Sequence, residues 1–141
     1  MIIICIIILL LTIFLLLRTI HEPPCMKEVK RRYNILINNC PEKFKVLRKR
    51  ILISGYYKSF TGTLGWNANK GDEIGVCIDG TPNQTFHILL HELAHSTVEE
   101  YSHSKQFWKN FKELRDICES LGIYTKIDYQ EKFCGKYIKD N

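Results

Sequence analysis

The sequence predicts an α+β domain, in which a short antiparallel sheet packs on a buried helix, behind an N-terminal transmembrane helix. Three observations predict it. Ile2 to Leu17 form an apolar run interrupted only by Thr12; Ile74, Val76 and Ile78 alternate with Gly75, Cys77 and Asp79 after a turn-rich stretch; and two helical periodicities follow, from Thr81 to about Glu99 and from Ser104 to Leu121. At 141 residues, 45% of them hydrophobic, the chain holds one domain and one appended segment, which excludes a pair of catalytic domains. The division expected is 1–20 for the anchor and 21–141 for the domain.

The first element is the run through residues 2–17, which ends at Arg18. No Lys or Arg precedes it and no small-x-small site follows it, so it reads as an uncleaved single-pass anchor rather than a secretory signal. Lys and Arg lie only downstream, ten against three acidic residues over 18–50. That bias places the C-terminal domain on the cytoplasmic side. The net charge of +5 belongs to this juxtamembrane third, because residues 51–141 carry ten basic against twelve acidic groups.

After His21-Glu22-Pro23-Pro24, a stiff linker, Met26, Val29, Tyr33, Leu36 and Ile37 recur at helical spacing and predict an amphipathic helix over 25–39. A shorter basic helix follows Pro41, with Phe44 and Leu47 facing inward. From Ile51 to Asp79, β-branched and aromatic residues punctuated by glycine predict the sheet. Within it, residues 65–72 supply a hairpin turn and Ile74 to Ile78 a half-buried strand, with Gly75 leaving room for another chain to approach. Thr81-Pro82-Asn83-Gln84 is a capping box with proline at the first helical position, so the next helix starts there and runs to about Glu99. The last helix ends at Gly122, and the tail from Ile123 is aperiodic.

The chemistry lies in His91-Glu92-Leu93-Ala94-His95. Two histidines four apart project from one helical face, one turn apart, and can present ring nitrogens to one Zn²⁺. Glu92, beside the first of them, suits the general base that takes a proton from an activated water and passes it to a leaving amine. Phe86, Ile88, Leu89, Leu90, Leu93, Ala94 and Val98 make the rest of the helix apolar. A buried helix needs partners for its ionisable groups, and a metal provides them. The third ligand is His103, with Glu99 and Glu100 as alternatives; a ligand two turns along a straight helix from His91 lies about 12 Å away, which weighs against Glu99.

The run His91 to His95, followed by Glu100-Tyr101-Ser102-His103-Ser104-Lys105-Gln106-Phe107-Trp108, resembles the core of the WLM and SprT-like zinc metallopeptidases. It is also similar to compact members of that group from large DNA viruses, in which Asn69-Lys70, the strand Ile74 to Ile78 and Phe133-Cys134-Gly135 have counterparts in the same order. The resemblance covers roughly 50–138. It implies a zincin-like fold, zinc on His91, His95 and His103, a catalytic Glu92, and an extended polypeptide substrate lying on the strand before the metal helix. Ser102 stands where relatives often carry glycine.

The setting implied is a host or virion membrane, with the basic region 27–50 meeting anionic lipid or, less favoured, nucleic acid. The competing reading is a non-catalytic, membrane-associated structural or virion component that retains the zinc site. Glu92 favours the enzyme, since a structural zinc has no use for a general base. Tyr101, Tyr124, Tyr129 and Tyr137 are candidates for stabilising an oxyanion. Of the six cysteines, Cys25 with Cys40 or Cys118 with Cys134 could pair in an oxidising space, while Cys77 and Cys134 read as small buried hydrophobes.

Overall fold

The computed structural model describes residues 1–58 and 62–140, Thr19 and Ile20 by backbone alone. Residues 59–61, inside the expected β-rich stretch, and Asn141, the end of the expected domain, lie outside the described residues.

Helix α1 (Ile2–Ile20) carries exposed aliphatic side chains from Ile2 to Leu17. No helix among the described residues is long and apolar enough to cross a membrane. This overturns the transmembrane helix expected over 2–17, and with it the single-pass membrane localisation and its orientation. The physical reason is the length of the apolar run: its sixteen residues, which end before Arg18, rise about 24 Å, short of a hydrocarbon core of about 30 Å.

Helix α2 (Pro24–Asn39) starts with proline in its first turn and buries Met26, Val29, Tyr33 and Leu36, one stripe at three- and four-residue spacing. It stops where Cys40 turns extended ahead of Pro41. A 3-10 segment, Glu42–Arg48, kinks at Phe44 and buries Phe44 and Leu47. The Tyr33 hydroxyl donates to the Leu47 carbonyl at 2.9 Å and ties this segment back to α2. The basic side chains of the region are largely ion-paired: Lys30 with Glu22, Arg31 and Arg32 with Glu28, Lys43 with Glu113, Lys45 and Arg48 with Glu42, and Lys49 with Asp72.

Strands β1 (Leu52–Tyr56), β2 (Gly65–Ala68) and β3 (Glu73–Cys77) form one sheet in the order β1-β3-β2. The sheet is mixed, which corrects the expected antiparallel one: β2 runs antiparallel to β3, but β1 pairs with β3 in parallel, with Ile53 opposite Ile74. The stretch 65–72 is strand as well as turn. Asn69, Lys70 and Gly71 take φ of 49°, 57° and 97°, left-handed values that reverse the chain within the four-residue turn 69–72. Strand β3 is buried on both faces rather than half-buried, because it is central. The space beside Gly75 is filled by the chain's own Trp66 indole, so no other chain approaches there.

Helix α3 (Pro82–His95) is the hub, packing on α2, β2, β3 and α4 (Lys105–Ser120). Its capping box is complete: Thr81 Oγ1 accepts from the Gln84 amide and Gln84 Oε1 from the Thr81 amide. The aperiodic tail contains a two-residue hairpin between β4 (Glu131–Phe133) and β5 (Lys136–Ile138), with Cys134 and Gly135 at positive φ in the turn. A disulfide joins Cys134 to Cys77 of β3, whereas Cys25, Cys40 and Cys118 are free. The two pairings that an oxidising space would have allowed are not the one formed, and Cys77 and Cys134 are more than apolar filler.

Candidate metal centre

Helix α3 presents His91 and His95 from adjacent turns of one face. It ends at His95, a turn earlier than the sequence suggests. Three groups hold the chain in its turn away from the helix. Thr97 Oγ1 donates to the Ala94 carbonyl at 2.7 Å; the buried Asn110 of α4 donates to Thr97 Oγ1 at 2.8 Å; and Lys70 Nζ, from the β2–β3 turn, donates to the carbonyls of His95 at 3.3 Å, Val98 at 3.1 Å and Glu100. A cation on the last carbonyls of a helix also complements its dipole. The loop so pinned delivers His103 just before α4, whose N-cap Ser104 accepts from the Phe107 amide. Ser102 is not among the residues at positive φ, so serine in place of glycine carries no backbone strain there.

The loop brings the three imidazoles together. His103 Nε2 lies 3.0 Å from His91 Nε2 and 3.1 Å from His95 Nε2. Three nitrogens held at the usual zinc distance of about 2.0–2.1 Å in a tetrahedral set lie about 3.3 Å apart, so the donor set fits that ion. The alternatives do not join it: Glu99 is exposed, and Glu100 accepts from Ser104 Oγ at the start of α4. Phe107 packs against all three rings, with centroids 4.4 to 5.0 Å away, and fixes their orientation. Burial, followed by the neighbouring His95, His103 and His87, pushes His91 down to about 3; burial, followed by His103 and Lys70, also lowers His95. Both effects favour the neutral, ligating form.

Glu92 is 8% exposed, and burial raises its carboxyl to about 7. Gly65 of the edge strand β2 lies against it: a Cβ there would meet Glu92 Oε1 at 2.9 Å and Ile88 Cγ2 at 2.6 Å. Asn67 clamps the same strand to α3, donating to the Glu92 carbonyl at 2.6 Å and to Ser96 Oγ at 2.9 Å. Sequence reading missed Gly65 and Asn67 as site residues, having taken them for turn formers. The carboxyl sits between two hollows. One, of about 370 Å³, is bounded by Leu64, His87, His91, Trp108, Phe111 and Tyr137; the other, of about 180 Å³, by Asn67, Lys70, His95 and Tyr101. Of the tyrosines considered for an oxyanion, Tyr137 lines the first hollow and Tyr101 the second, while Tyr124 is buried and, like Tyr129, lines neither.

A family profile described as the WLM domain matches residues 23–139. An uncharacterized protein of Acanthamoeba polyphaga mimivirus is 34% identical over 97 residues, which cover 62% of this chain and 46% of that protein. An uncharacterized protein of Invertebrate iridescent virus 6 is 43% identical over 44 residues, or 31% of this chain and 25% of that protein. The chain thus spans less than half the length of these curated relatives. No solved structure matches.

Proposed function

Because the chain belongs to the WLM domain family, which is zinc metallopeptidase-like, we propose that it hydrolyses peptide bonds at the three-histidine centre, with Glu92 as general base. The observation that carries this reading is the convergence of His91, His95 and His103 Nε2 beside a buried carboxyl.

The three histidines would hold zinc, whose Lewis acidity makes water a nucleophile near neutral pH and polarises a carbonyl. The remaining work belongs to the chain. Glu92, raised to about 7 by burial, takes the proton of the attacking water at its carboxylate and hands it to the leaving amine. Strand β2 is a sheet edge beside Glu92, so an extended polypeptide can lie along Gly65–Ala68 by strand addition. Strand β3, the one expected to serve, is paired on both sides. The hollows on either side of Glu92 then receive side chains flanking the scissile bond.

The test separates binding from chemistry. His91→Ala, His95→Ala and His103→Ala should each lower the zinc content of purified protein, while Glu92→Gln should keep the zinc and lose hydrolysis by about 10²–10⁴-fold. Protein that retains zinc but cleaves no polypeptide is the outcome for a structural role. Stoichiometric zinc in His103→Ala would remove His103 from the ligand set.

A further inference from the structure

The larger hollow ends at a histidine that the metal centre does not use. His87 stands one turn before His91 on α3 and is 6% exposed. Its Nδ1 lies 2.9 Å from the Tyr124 hydroxyl and 3.1 Å from Asp140 Oδ1. The Tyr124 hydroxyl donates its hydrogen to Asp140 Oδ2 at 2.7 Å, so it offers Nδ1 only a lone pair. With two acceptors in front of it, Nδ1 carries the proton. Asp140 also pairs with Arg115, and an imidazole whose proton sits on Nδ1 presents Nε2 as a bare acceptor. That nitrogen has no hydrogen-bond partner among the described residues. Nor is it sealed away, because no fully buried side-chain nitrogen or oxygen among those residues lacks one. It therefore opens onto the hollow that His87 lines.

The walls of this hollow are aromatic and aliphatic: Trp108, Phe111, Ile88, Leu64 and Ile138. An ammonium would meet Arg115, Lys136 and Lys139 around the same space, and a carboxylate, which those cations would attract, would find a lone pair rather than a donor at Nε2. A flat, uncharged side chain ending in a hydrogen-bond donor satisfies both walls and floor. We infer that the hollow is a side-chain subsite for tyrosine, its ring between Trp108 and Ile138 and its hydroxyl donating to His87 Nε2. The inference rests on the peptidase reading for its place beside Glu92, yet it is measurable without turnover.

The probes are N-acetyl-tyrosinamide, N-acetyl-phenylalaninamide and N-acetyl-O-methyl-tyrosinamide, the last keeping the oxygen and losing its hydrogen. They are titrated into the full chain while His87 ring nitrogens are followed by ¹⁵N NMR. Expected is a Kd for the tyrosine amide about three- to tenfold lower than for either other probe, the worth of one neutral hydrogen bond, with Nε2 shifting on binding. In His87→Phe the ratio falls to about one; if that variant does not fold, the three probes on the wild-type chain decide alone. Equal affinities, no binding, or a tyrosine preference that survives His87→Phe would overturn the subsite. The expected pattern in protein that cleaves no peptide would leave the subsite standing and remove the peptidase. Cleavage with no preference for tyrosine over phenylalanine would do the reverse.

Discussion

Glu92 owes its position to a missing atom. Gly65 has no Cβ, and the space this leaves on β2 is where the carboxyl and Ile88 sit. Gly65→Ala forces one of them to move, and displacing a catalytic group by about 1 Å costs on the order of 10²-fold. The variant should therefore retain zinc, measured on purified protein, while kcat/KM falls ten- to a hundredfold. Parallel loss of zinc and activity would show instead that the substitution disturbs the whole centre. That three imidazoles cluster was legible, because two four apart on an apolar helix and a third just beyond it are statements about spacing. Gly65 was not, since its role is defined by residues far along the chain, and a glycine near Asn67 and Gly71 reads first as a turn former. The same limit hid Asn67, whose two bonds to α3 depend on how the hairpin docks.

At the scale of elements, two tethers set where helices end and how they join. Lys70, held at positive φ in the hairpin turn, binds three carbonyls at the close of α3 and lies 4.1 Å from the Tyr101 ring centroid. Lys70→Met should loosen residues 96–104 and weaken zinc binding about tenfold through His103, read by competition with a chelator. Unchanged affinity would mean that Asn110 and Thr97 hold the loop alone. The second tether is Asp140, just after β5, which engages His87 of α3, Arg115 of α4, Tyr124 and the Ile127 amide. Burial alone would raise its carboxyl, but the hydrogen bonds from His87, Ile127, Tyr124 and Arg115 outweigh it and hold it well below the usual carboxylate range. A depressed pKa stabilises fully above the unfolded value of about 3.9 and is lost as pH falls below it. Urea stability should drop through that window in wild-type protein, and Asp140→Asn should start lower and show a shallower decline. The helix boundaries set by local chemistry, such as the Thr81 box, were legible. The early stop at His95 was not, because Lys70 and Asn110 impose it from other elements.

At the scale of the whole molecule, the Cys77–Cys134 bond fastens the β4–β5 hairpin, one wall of the larger hollow, to the central strand. It closes a loop of 57 residues, for which chain entropy gives a stabilisation of about 4 kcal/mol. Reduction, or Cys77→Ala with Cys134→Ala, should lower the denaturation midpoint accordingly. Zinc binding on α3 and its loop should stay intact, since neither cysteine touches it. Loss of zinc on reduction would mean that the sheet, not the helices, positions the ligands. The pairing itself was illegible because sequence separation says nothing of which sulfurs meet, and the tail lacks the long periodicity that betrays a helix. In contrast, His91 and His103 are only twelve positions apart. Loops of about ten residues close in roughly 10–100 ns, and local contacts form ahead of distant ones. During synthesis, therefore, the imidazoles are expected to meet while the last strands are still emerging, so that a nascent chain ending before residue 131 already captures the ion and only later acquires the wall that would select what is cut.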